Sequence, residues 1–574
     1  MISVENVVAD NFPGLEKARP KIHKTVLAVF RYLFHEREFK LFEEAYPHLK
    51  GFDFVDQVLD YFSFSYSVSN RDKERIPVHG RLVIIANHPI GSLDGLALLQ
   101  LVGGVRRDVK VVANDLLLAL DPLRSLLLPV DNMGNRTARQ NIRQIEQHLN
   151  NEGAIIIFPA GEVSRIRPNG VRDGAWNRSF LRFASKTGSP ILPIHVNAHN
   201  SVFFYSLSFL SKPLSTLWLV REMFKQARRD IRIHIGSPIE HKVYDNLPFR
   251  QKSKIKLFKK HVYRLSRKRG IRCFQDNMES IAHPEQRQQL RDEIRSCELI
   301  GSTADNMHIY LYNFEGDSTV MREVARLREV SFRAVGEGSG KRRDMDRYDS
   351  YYDHIILWDD EQLELVGAYR LVRTAEVVKD KGVDALYTST LFDYQEDAGH
   401  YLSQAVELGR SFVQPRYWGK RSLDYLWFGI GAYVNRYPEV RYLLGPVSIS
   451  NSYTEEAKQL LVSFYQSYFP AASCWVVAKT PYHVGVVPSA PRLEYKAGFA
   501  ELKQKMASMD VNVPTLYKQY SEVCEHGGVQ FVDFNVDENF SDCVDGMVTV
   551  DLQLLKASKR KRYIESNTIK RDEA

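Results

Sequence analysis

Cysteine is scarce in this chain of 574 residues: there are five, widely spaced, and none forms a Cys-x-x-Cys pair. This spacing argues against a disulfide framework and a zinc site, and it is typical of reduced thiols in a cytosolic protein. Residues 1–12 lack a basic start followed by an apolar run, so we expect no signal peptide. No window reaches about 18 uninterrupted apolar residues, so we expect no membrane-spanning helix.

The longest apolar stretches are interrupted ones. Residues 116–130 and residues 203–220 are rich in apolar side chains, but each contains charged residues and a proline. Either stretch could lie in a membrane interface. A helix or loop in the protein core explains each of them equally well, and the sequence leaves both interpretations open.

Positive charge is concentrated in the first half. Residues 1–300 hold 46 Lys and Arg against 31 Asp and Glu, a net charge of +15; the remainder holds 32 against 39, a net charge of −7. The densest cluster, residues 251–272, has ten basic residues and no acid, and its apolar residues suit one face of a helix. Such a helix attracts anionic lipid, nucleic acid or an acidic protein, and a merely solvated helix is the alternative.

Strand-like and helix-like stretches alternate in the first half. Five short apolar runs are typical of buried strands: 82–86, 109–113, 154–158, 191–196 and 231–235. Helix-like stretches such as 135–149 lie between them. This alternation predicts an α/β domain with a largely parallel sheet. The second half starts, after a polar linker, with a strand at 307–312 and a helix at 319–334.

Residues 86–95 read Ala-Asn-His-Pro-Ile-Gly-Ser-Leu-Asp-Gly and follow an apolar run. Pro89 and Gly91 break regular structure, so we expect His88 at the exit of a strand and Asp94 near the start of a helix. Acyl transfer to an alcohol needs a base for the hydroxyl proton, and neutral imidazole suits that role at about pH 7. A carboxylate on the other ring nitrogen fixes the tautomer. His88 and Asp94 are therefore a candidate catalytic pair.

A second polar loop follows another strand-like run. Residues 158–165 read FPAGEVSR, and a turn at Gly161 would let backbone amides face a ligand. Glu162 and Arg165 are candidates for binding a polar head group. A surface ion pair between them is the alternative interpretation.

Two more blocks complete a recognisable order: DNMGNR at 131–136 and Leu-Pro-Ile at 192–194. The four blocks resemble the glycerolipid acyltransferases, the lysophosphatidic acid acyltransferase family, over about residues 75–240. The resemblance implies catalysis by the His–Asp pair and substrate binding by the second and third blocks. Two departures stand out: five residues separate the His from the Asp where the family has four, and Ala160 replaces the usual Glu of the third block, with Glu162 following the glycine.

The second half carries a further series of motifs: REVSF at 328–332, DMDRYD at 344–349, VGAYR at 366–370, VELGR at 406–410 and FNVDENFSDCVDGMVTVDL at 534–552. Their order resembles the N-acyltransferases that begin ornithine lipid synthesis and, more distantly, the acyl-homoserine lactone synthases. The resemblance covers about residues 305–555. It implies a GNAT-like α/β fold and an acyl donor carried by acyl carrier protein.

Several residues of the second half suit the acylation of an amine. An amine must lose a proton when it attacks a thioester, and Glu407 is the candidate base, directly or through water. Asp346 and Asp349 could hold a cationic amino acid, and Arg370 or Arg410 could bind its carboxylate. A structural ion-pair network among these five residues is the alternative.

Glycine-rich nucleotide loops are not evident. The loop GEGSGK at 336–341 lacks the spacing of a phosphate loop. The glycine-rich coenzyme A loop of ordinary acetyltransferases is also lacking, which suits a carrier-protein donor. We expect no cofactor and no bound metal.

Together the motifs predict two α/β domains. Residues 1–285 form a glycerolipid-acyltransferase-like O-acyltransferase domain, and residues 300–574 form a GNAT-like N-acyltransferase domain with a basic C-terminal tail. This order looks like that of the bifunctional ornithine lipid synthases. The resemblance implies N-acylation of an amino acid, ornithine in the family it points to, with a 3-hydroxyacyl group, followed by O-acylation of the 3-hydroxyl.

The implied partners are acyl carrier protein, an amino acid and an anionic membrane, with no nucleic acid. The implied location is peripheral, at the cytoplasmic face of the inner membrane. Glycine or lysine as the head group is an alternative within the same class. A phospholipid acyltransferase with a degenerate second domain, and a peripheral membrane scaffold with inactive sites, are the others.

Overall fold

The structure, a computed structural model, describes most of the chain: residues 28, 31–32, 35–91, 93–113, 120–130, 136–167, 170–210, 215, 218–266, 273–274, 279–314, 316–485 and 494–565. The chain divides into two compact units, Met1–Ser280 and Ile281–Ala574. Within the described ranges, no helix combines the length and apolar character needed to cross a bilayer. The same ranges contain no group of three His, Cys, Asp or Glu side chains that could hold a metal ion.

The first unit is built on a seven-stranded sheet in the order β1-β9-β8-β2-β5-β3-β4. Its strands, with the separate hairpin β6–β7, are β1 (Ser65–Ser67), β2 (Leu82–Ala86), β3 (Val109–Ala113), β4 (Leu127–Pro129), β5 (Ala154–Ile157), β6 (Arg165–Arg167), β7 (Gly170–Arg172), β8 (Ile191–Asn197) and β9 (Asp230–Ile235). All neighbouring pairs in the large sheet are parallel except β8 with β9. The predicted, largely parallel sheet is therefore confirmed.

The helices of this unit within the described residues are α1 (Glu36–Ala45), α2 (Gly51–Tyr61), α3 (Asn70–Lys73), α4 (Leu93–Gly103), α5 (Arg136–Asn150), α6 (Ser179–Thr187), α7 (Val202–Leu210), α8 (Leu219–Lys225), α9 (His241–Asp245) and α10 (Gln251–Val262), with a 3₁₀ turn at Asp121–Leu126. Strand β2 shows why helices are needed on both faces. Leu82 and Ile84 belong to one hydrophobic core and Val83 and Ile85 to another, because successive side chains point to opposite faces.

The second unit has an eight-stranded sheet in the order β10-β11-β12-β13-β15-β16-β19-β18, and β14 pairs with β17 separately. The strands are β10 (Glu298–Ser302), β11 (Met307–Asn313), β12 (Asp353–Asp359), β13 (Glu364–Arg373), β14 (Phe392–Tyr394), β15 (Ala405–Val413), β16 (Tyr442–Ile449), β17 (Val476–Ala478), β18 (Val529–Asp537) and β19 (Cys543–Asp551). The predicted strand at 307–312 corresponds to β11, and β12 and β13 form an antiparallel pair.

The helices of the second unit are α11 (Arg287–Ser296), α12 (Thr319–Ala334), α13 (Thr374–Lys381), α14 (Ala398–Leu402), α15 (Ser422–Val434), α16 (Glu455–Tyr468), α17 (Tyr495–Ser508), α18 (Thr515–Ser521) and α19 (Ala557–Tyr563). Short 3₁₀ turns lie at Arg347–Ser350, Val383–Ala385, Tyr387–Thr390, Pro415–Tyr417, Glu538–Phe540 and Leu552–Leu554. Helix α12 has the predicted bounds, and its first turn is capped by the Ser318 hydroxyl, which accepts from the Met321 N–H. The basic stretch 557–563 is helical, and residues 566–574 of the predicted tail lie outside the described residues.

Strands β15 and β16 are the only parallel neighbours in the eight-stranded sheet as described, and their ladder is short. It joins Ala405–Glu407 to Tyr442–Leu444 and then stops. Beyond it β15 stays paired with β13, and β16 stays paired with β19. Arg410 has a φ of 48°, so the backbone turns left-handed just past the last pair. Beyond Glu407 and Leu444 the two strands are not paired with each other, and we call the gap between them the cleft.

Candidate active sites

The predicted pair in the first unit forms at the carboxyl end of β2. His88 lies in the loop after that strand, and Asp94 lies in the first turn of α4. The His88 Nδ1 is 3.1 Å from the Asp94 Oδ2, and the Asp94 side chain is fully buried. The same carboxylate accepts the backbone N–H groups of Ile90 at 3.0 Å and Gly95 at 3.0 Å. The one-residue-longer loop therefore still brings the two side chains together.

The electrostatics of this pair suit a base. Burial raises the pKa of Asp94, but the imidazole of His88 and the N–H groups of Ile90 and Gly91 outweigh it and hold that pKa below its usual value. Burial lowers the pKa of His88, but the Asp94 charge outweighs it and leaves the pKa raised. The His88 ring stacks on Phe158 at 4.1 Å, which fixes its plane. With Nδ1 bonded to Asp94, Nε2 is the nitrogen that can take a hydroxyl proton.

A second buried carboxylate, Asp173, supports the backbone of His88. Its Oδ1 accepts the His88 N–H at 3.3 Å and the Ser164 hydroxyl, and its Oδ2 accepts the Trp176 indole N–H at 2.8 Å. The Ser164 N–H donates to the His88 carbonyl oxygen at 2.8 Å. Asp173 thus ties the 86–95 loop to the 158–165 loop. Asp173 was not predicted, because it belongs to none of the motifs and lies 85 positions from His88 in the sequence.

The basic stretch at 251–272 contributes to this support. Within α10, the Lys259 Nζ donates to the carbonyl oxygens of Asp173 at 2.9 Å and Gly174 at 2.5 Å. The Tyr263 hydroxyl accepts the Asp173 N–H at 2.8 Å. Lys259 therefore faces the interior. The prediction of a basic helix face therefore needs one correction: only some lysines of this stretch are exposed, and Lys259 is not one of them.

The third block contains the other predicted binding residues. Gly161 has a φ of 64°, a left-handed turn conformation that favours glycine. The Arg165 Nε is 3.7 Å from the Glu162 carboxylate, and the Arg165 Nη1 donates to the hydroxyls of Ser208 and, at 2.9 Å, Ser215. The ion pair between Glu162 and Arg165 that was the alternative interpretation is thus present, and head-group binding by these residues stays a prediction. The block at 131–136 lies outside the described residues, apart from the helical backbone of its last member.

In the second unit, four of the five predicted residues form one ionic network. Asp349 is fully buried and accepts Arg328 at 2.7 Å and Arg370 at 3.1 Å, and Arg370 also donates to Asp346 at 2.6 Å. Burial raises the pKa of Asp349, but the two arginines outweigh it and hold that pKa far below its usual value. Arg410 lies 3.7 Å from Asp346. Arg328 is the first residue of the first motif of this half, but it was not predicted as a partner of Asp349.

Aromatic rings separate the two arginines that were predicted to bind a carboxylate. The guanidinium carbons of Arg370 and Arg410 lie 5.1 Å and 5.0 Å from the centre of the Tyr387 ring. Arg410 also lies 4.6 Å from the Phe540 ring and 3.4 Å from the Asp344 carboxylate. Because Arg410 has left-handed backbone, its side chain leaves β15 at the point where the cleft opens.

Glu407 is close to this network but bonds elsewhere. Its side chain is 1% exposed, Oε1 accepts the Thr388 N–H at 2.7 Å, and Oε2 accepts the Tyr387 N–H at 3.2 Å together with the Tyr352 hydroxyl. The structure therefore places Glu407 behind Tyr387, where it holds the turn that carries the ring between the arginines. No ion pair joins it to the other four predicted residues within the described ranges.

A group of acidic side chains near Arg410 was not predicted. Glu337, in the GEGSGK loop, accepts the Ser448 hydroxyl at 3.1 Å, and burial raises its pKa to about 7 against the opposing effects of that bond and of Arg410. Burial likewise raises the pKa of Asp537 and of Asp545, and Arg410 opposes both shifts. For Asp537 and Asp545 the sequence did contain a signal. In residues 534–552, acidic residues alternate with the apolar residues that are typical of a buried strand.

Comparison with known proteins gives two family matches, one for each half of the chain. Residues 6–268 match the acyltransferase family, and residues 327–428 match the acetyltransferase (GNAT) domain. The chain is an acyltransferase. It joins an acyltransferase domain to a GNAT domain, so the predicted fold class and enzyme class are confirmed.

Relatives of this acyltransferase carry names of two kinds. It is 28% identical over 307 residues to a glycine N(alpha)-acyltransferase of Bacteroides thetaiotaomicron, covering 50% of this chain and 90% of that one. It is 28% identical over 252 residues to a lyso-glycine lipid O-acyltransferase of Phocaeicola vulgatus, covering 43% of this chain and 88% of that one. It is 30% identical over 179 residues to an L-ornithine N(alpha)-acyltransferase of Brucella abortus, covering 29% of this chain and 62% of that one.

Proposed function

We propose that this acyltransferase makes an aminolipid in two steps. The GNAT unit joins a 3-hydroxyacyl group from acyl carrier protein to the amino group of an amino acid, and the first unit then esterifies the 3-hydroxyl with a second acyl group. The observation that carries the proposal is the presence, in one chain, of a His–Asp pair suited to a hydroxyl and a cleft with arginines suited to an amino acid. Relatives named for an N-acyl and for an O-acyl step support it.

In the O-acyl step, the His88 Nε2 takes the proton of the lyso-lipid 3-hydroxyl as its oxygen attacks the thioester carbonyl carbon. Asp94 stabilises the imidazolium that forms, because its carboxylate is fixed by backbone N–H groups and stays ionised. The carbon–sulfur bond breaks, and the thiolate of the carrier receives the proton. A general base of this kind contributes about 10²–10⁴ in rate.

In the N-acyl step, Arg410 binds the carboxylate of the amino acid at the mouth of the cleft. The inner edges of β15 and β16 beyond their short ladder offer backbone N–H and C=O groups to the amides of a phosphopantetheine arm. Acyl carrier protein and coenzyme A both carry that arm, so the donor has to be tested directly. The amine then attacks the thioester carbonyl carbon, and a carboxylate accepts its proton. The carbon–sulfur bond breaks, and the leaving thiolate of the carrier receives that proton.

Two carboxylates are candidates for that proton. Glu407 is close to Tyr387 and the arginines, but its oxygens already accept three hydrogen bonds. Glu337 accepts one hydroxyl, and its pKa of about 7 suits proton transfer under physiological conditions. Glu407 remains the predicted base, and Glu337 is a second candidate for that role. Substituting each residue alone distinguishes the two candidates.

Two head groups have separate support. Ornithine is favoured by the name of the Brucella abortus relative. Glu337, Asp537 and Asp545 lie near Arg410, and a bound side-chain ammonium would favour their ionised forms, because a neighbouring cation lowers the pKa of a carboxyl group. Glycine is favoured by the names of relatives that are covered over 88–94% of their length. Either product is a lipid, so we also propose peripheral association with an anionic membrane, at the cytoplasmic face of the inner membrane.

The test uses the purified full chain with 3-hydroxyacyl–acyl carrier protein, acyl–acyl carrier protein and, in separate reactions, ornithine, glycine or lysine. Mass spectrometry should detect the N-acylated amino acid first and its ester later. Parallel reactions with the corresponding coenzyme A thioesters identify the carrier. Failure to form any N-acyl amino acid from either carrier would contradict the proposal, and a preference for glycine would correct the head group.

A further inference from the structure

The start of α7 exposes apolar side chains to solvent. Val202 is 80% exposed and Phe203 is 52% exposed, whereas the next two residues, Phe204 and Tyr205, are buried. Exposing two neighbouring large apolar residues at a helix start is unfavourable in water unless they meet a partner. Phe203 lies within the stretch 203–220, whose sequence left a membrane interface and a core helix open. The first turn of α7 combines the two: Val202 and Phe203 are exposed, and Phe204 and Tyr205 belong to a core cluster.

A buried carboxylate holds this apolar pair in place. Glu222 of α8 has no exposed surface, and it accepts the Ser201 N–H and the Ser201 hydroxyl, each at 2.8 Å. It also accepts the Trp218 indole N–H at 3.2 Å and the Lys225 ammonium at 3.0 Å. Glu222 thus clamps the start of α7 to the start of α8. The apolar pair is presented on a fixed surface.

Cations surround the apolar pair. The Lys225 Nζ lies 5.6 Å from the centre of the Phe203 ring, and the guanidinium carbon of Arg221 lies 5.1 Å from the Trp218 ring. Residues 219–229 contain four basic residues and a single acid, the buried Glu222. The outward charge is therefore positive. Apolar and aromatic groups beside lysine and arginine are the chemistry that recognises the interface of an anionic bilayer.

The same surface adjoins the loop that carries His88. The Asn200 side-chain amide donates to the carbonyl oxygens of Pro89 and Ile90, each at 3.3 Å. Leu219, at the start of α8, lies beside Gly91, where an added Cβ would be 3.5 Å from it. A molecule leaving a bilayer at this surface therefore arrives next to the 86–95 loop.

We propose that Val202, Phe203 and Trp218, together with Arg221 and Lys225, form an interfacial surface that docks on an anionic lipid bilayer. Docking would place the His88 loop at the bilayer surface, so that a lyso-lipid reaches the base without crossing water. The inference rests on the proposed function, since it requires that the acceptor resides in a membrane. It adds the surface and the charge of the lipid it meets.

The test measures binding of the full chain to vesicles of phosphatidylglycerol and phosphatidylcholine, and to vesicles of phosphatidylcholine alone, by sedimentation. The V202S/F203S variant should bind the anionic vesicles about tenfold or more weakly, because two apolar side chains no longer enter the interface. V243S/F249S is the matched control: Val243 and Phe249 are 37% and 51% exposed in the same unit. That control should bind like the unmodified protein.

Charge is tested by R221Q/R228Q, which should weaken binding to anionic vesicles at low salt and leave phosphatidylcholine unaffected. Unchanged binding of V202S/F203S, or an equal loss in V243S/F249S, would overturn the inference. A short-chain soluble acceptor distinguishes a failure of the docking surface from a failure of the proposed function, because such an acceptor needs no membrane. V202S/F203S should esterify it at the normal rate, whereas absence of any ester from the unmodified chain would count against the proposed function and not against the surface.

Discussion

The two candidate sites stabilise a buried carboxylate in different ways. In the first unit Asp94 is held by backbone N–H groups at the start of α4 and by one imidazole. In the second unit Asp349 accepts one backbone N–H, from Asp346, and is paired with two arginines, Arg328 from α12 and Arg370 from β13. Backbone donors come with the local chain, whereas the arginines come from elements far apart in sequence. The first arrangement is therefore compact and local, and the second depends on the whole fold.

This difference has a consequence for substitution. Removing His88 leaves Asp94 with its backbone donors, so the fold should tolerate the change. Removing Arg328 or Arg370 takes away one of the two cationic partners of the buried Asp349 carboxylate, and breaking a buried ion pair typically costs about 3–5 kcal/mol. Chemistry and stability are therefore separable in the first unit, and they are coupled in the second.

The largest expected effect follows from the first site. His88→Ala should lower ester formation by about 10²–10⁴ while N-acylation continues, because the two reactions use separate residues. The N-acylated lyso-lipid should accumulate, which thin-layer or mass-spectrometric lipid analysis of cells making the variant would show. A folded H88A protein that forms neither product would disprove two independent sites.

The same comparison explains what the sequence could and could not predict. His88 and Asp94 stand six positions apart, so a strand exit and a helix start suffice to bring them together. The parallel sheet was equally accessible, because buried runs such as 82–86 alternate with helical stretches. Asp173 and Glu337 were not accessible: the first reaches His88 through tertiary contacts alone, and the second acquires its raised pKa from burial. Lys259 looked like its exposed neighbours because helical spacing does not show which lysine meets a carbonyl.

The second prediction asks whether the second site has a base. Glu407→Gln should stop most N-acylation, because its amide places a donor opposite the N–H groups of Tyr387 and Thr388 and disturbs the ring between the arginines. Glu337→Gln should remove the pH dependence centred at about 7, since only the deprotonated carboxylate accepts a proton and the rate rises as pH passes that pKa. Steady-state N-acylation across pH measures both.

The residual rate of each variant identifies the role. If Glu407 only positions Tyr387, the pH profile of E407Q keeps the limb at about pH 7, the pKa of Glu337, on a lower plateau. If Glu407 is the base, E407Q loses N-acylation at every pH, and E337Q keeps its activity. Unimpaired turnover of E407Q at neutral pH would remove Glu407 from the list of functional residues. Supplied lyso-lipid should be esterified normally by both variants.

The third prediction concerns Asp173, the second buried carboxylate of the first unit, and its effect on the pKa of His88. Asp173→Asn removes a charge that raises the pKa of His88, so that pKa should fall. Only neutral imidazole is a base, so the acidic limb of ester formation should move to lower pH. We expect kcat to fall about tenfold with KM unchanged, because the support of the His88 backbone is weakened. Asp108→Asn, at a carboxylate paired with Arg106 in the same unit, is the control and should keep the normal profile. Identical pH profiles for D173N and D108N would contradict a positioning role.

The smallest expected effect separates the two faces of α10. Lys252, Lys256 and Lys260 are exposed, whereas Lys259 holds the carbonyl oxygens of Asp173 and Gly174. K252Q/K256Q/K260Q should weaken binding of acyl carrier protein a few-fold at low ionic strength, and added salt should remove the difference, because exposed charges are screened within about 10 Å at 0.1 M salt.

Lys259→Gln should leave that binding unchanged and instead slow ester formation, since the loop behind His88 loses its anchor. Titration calorimetry with acyl carrier protein at two salt concentrations and vesicle sedimentation of the triple variant distinguish the possible partners. Loss of vesicle binding alone would assign the exposed lysines to lipid. If neither interaction changes, these lysines face only solvent, and the positive charge of the first unit acts elsewhere, at α8.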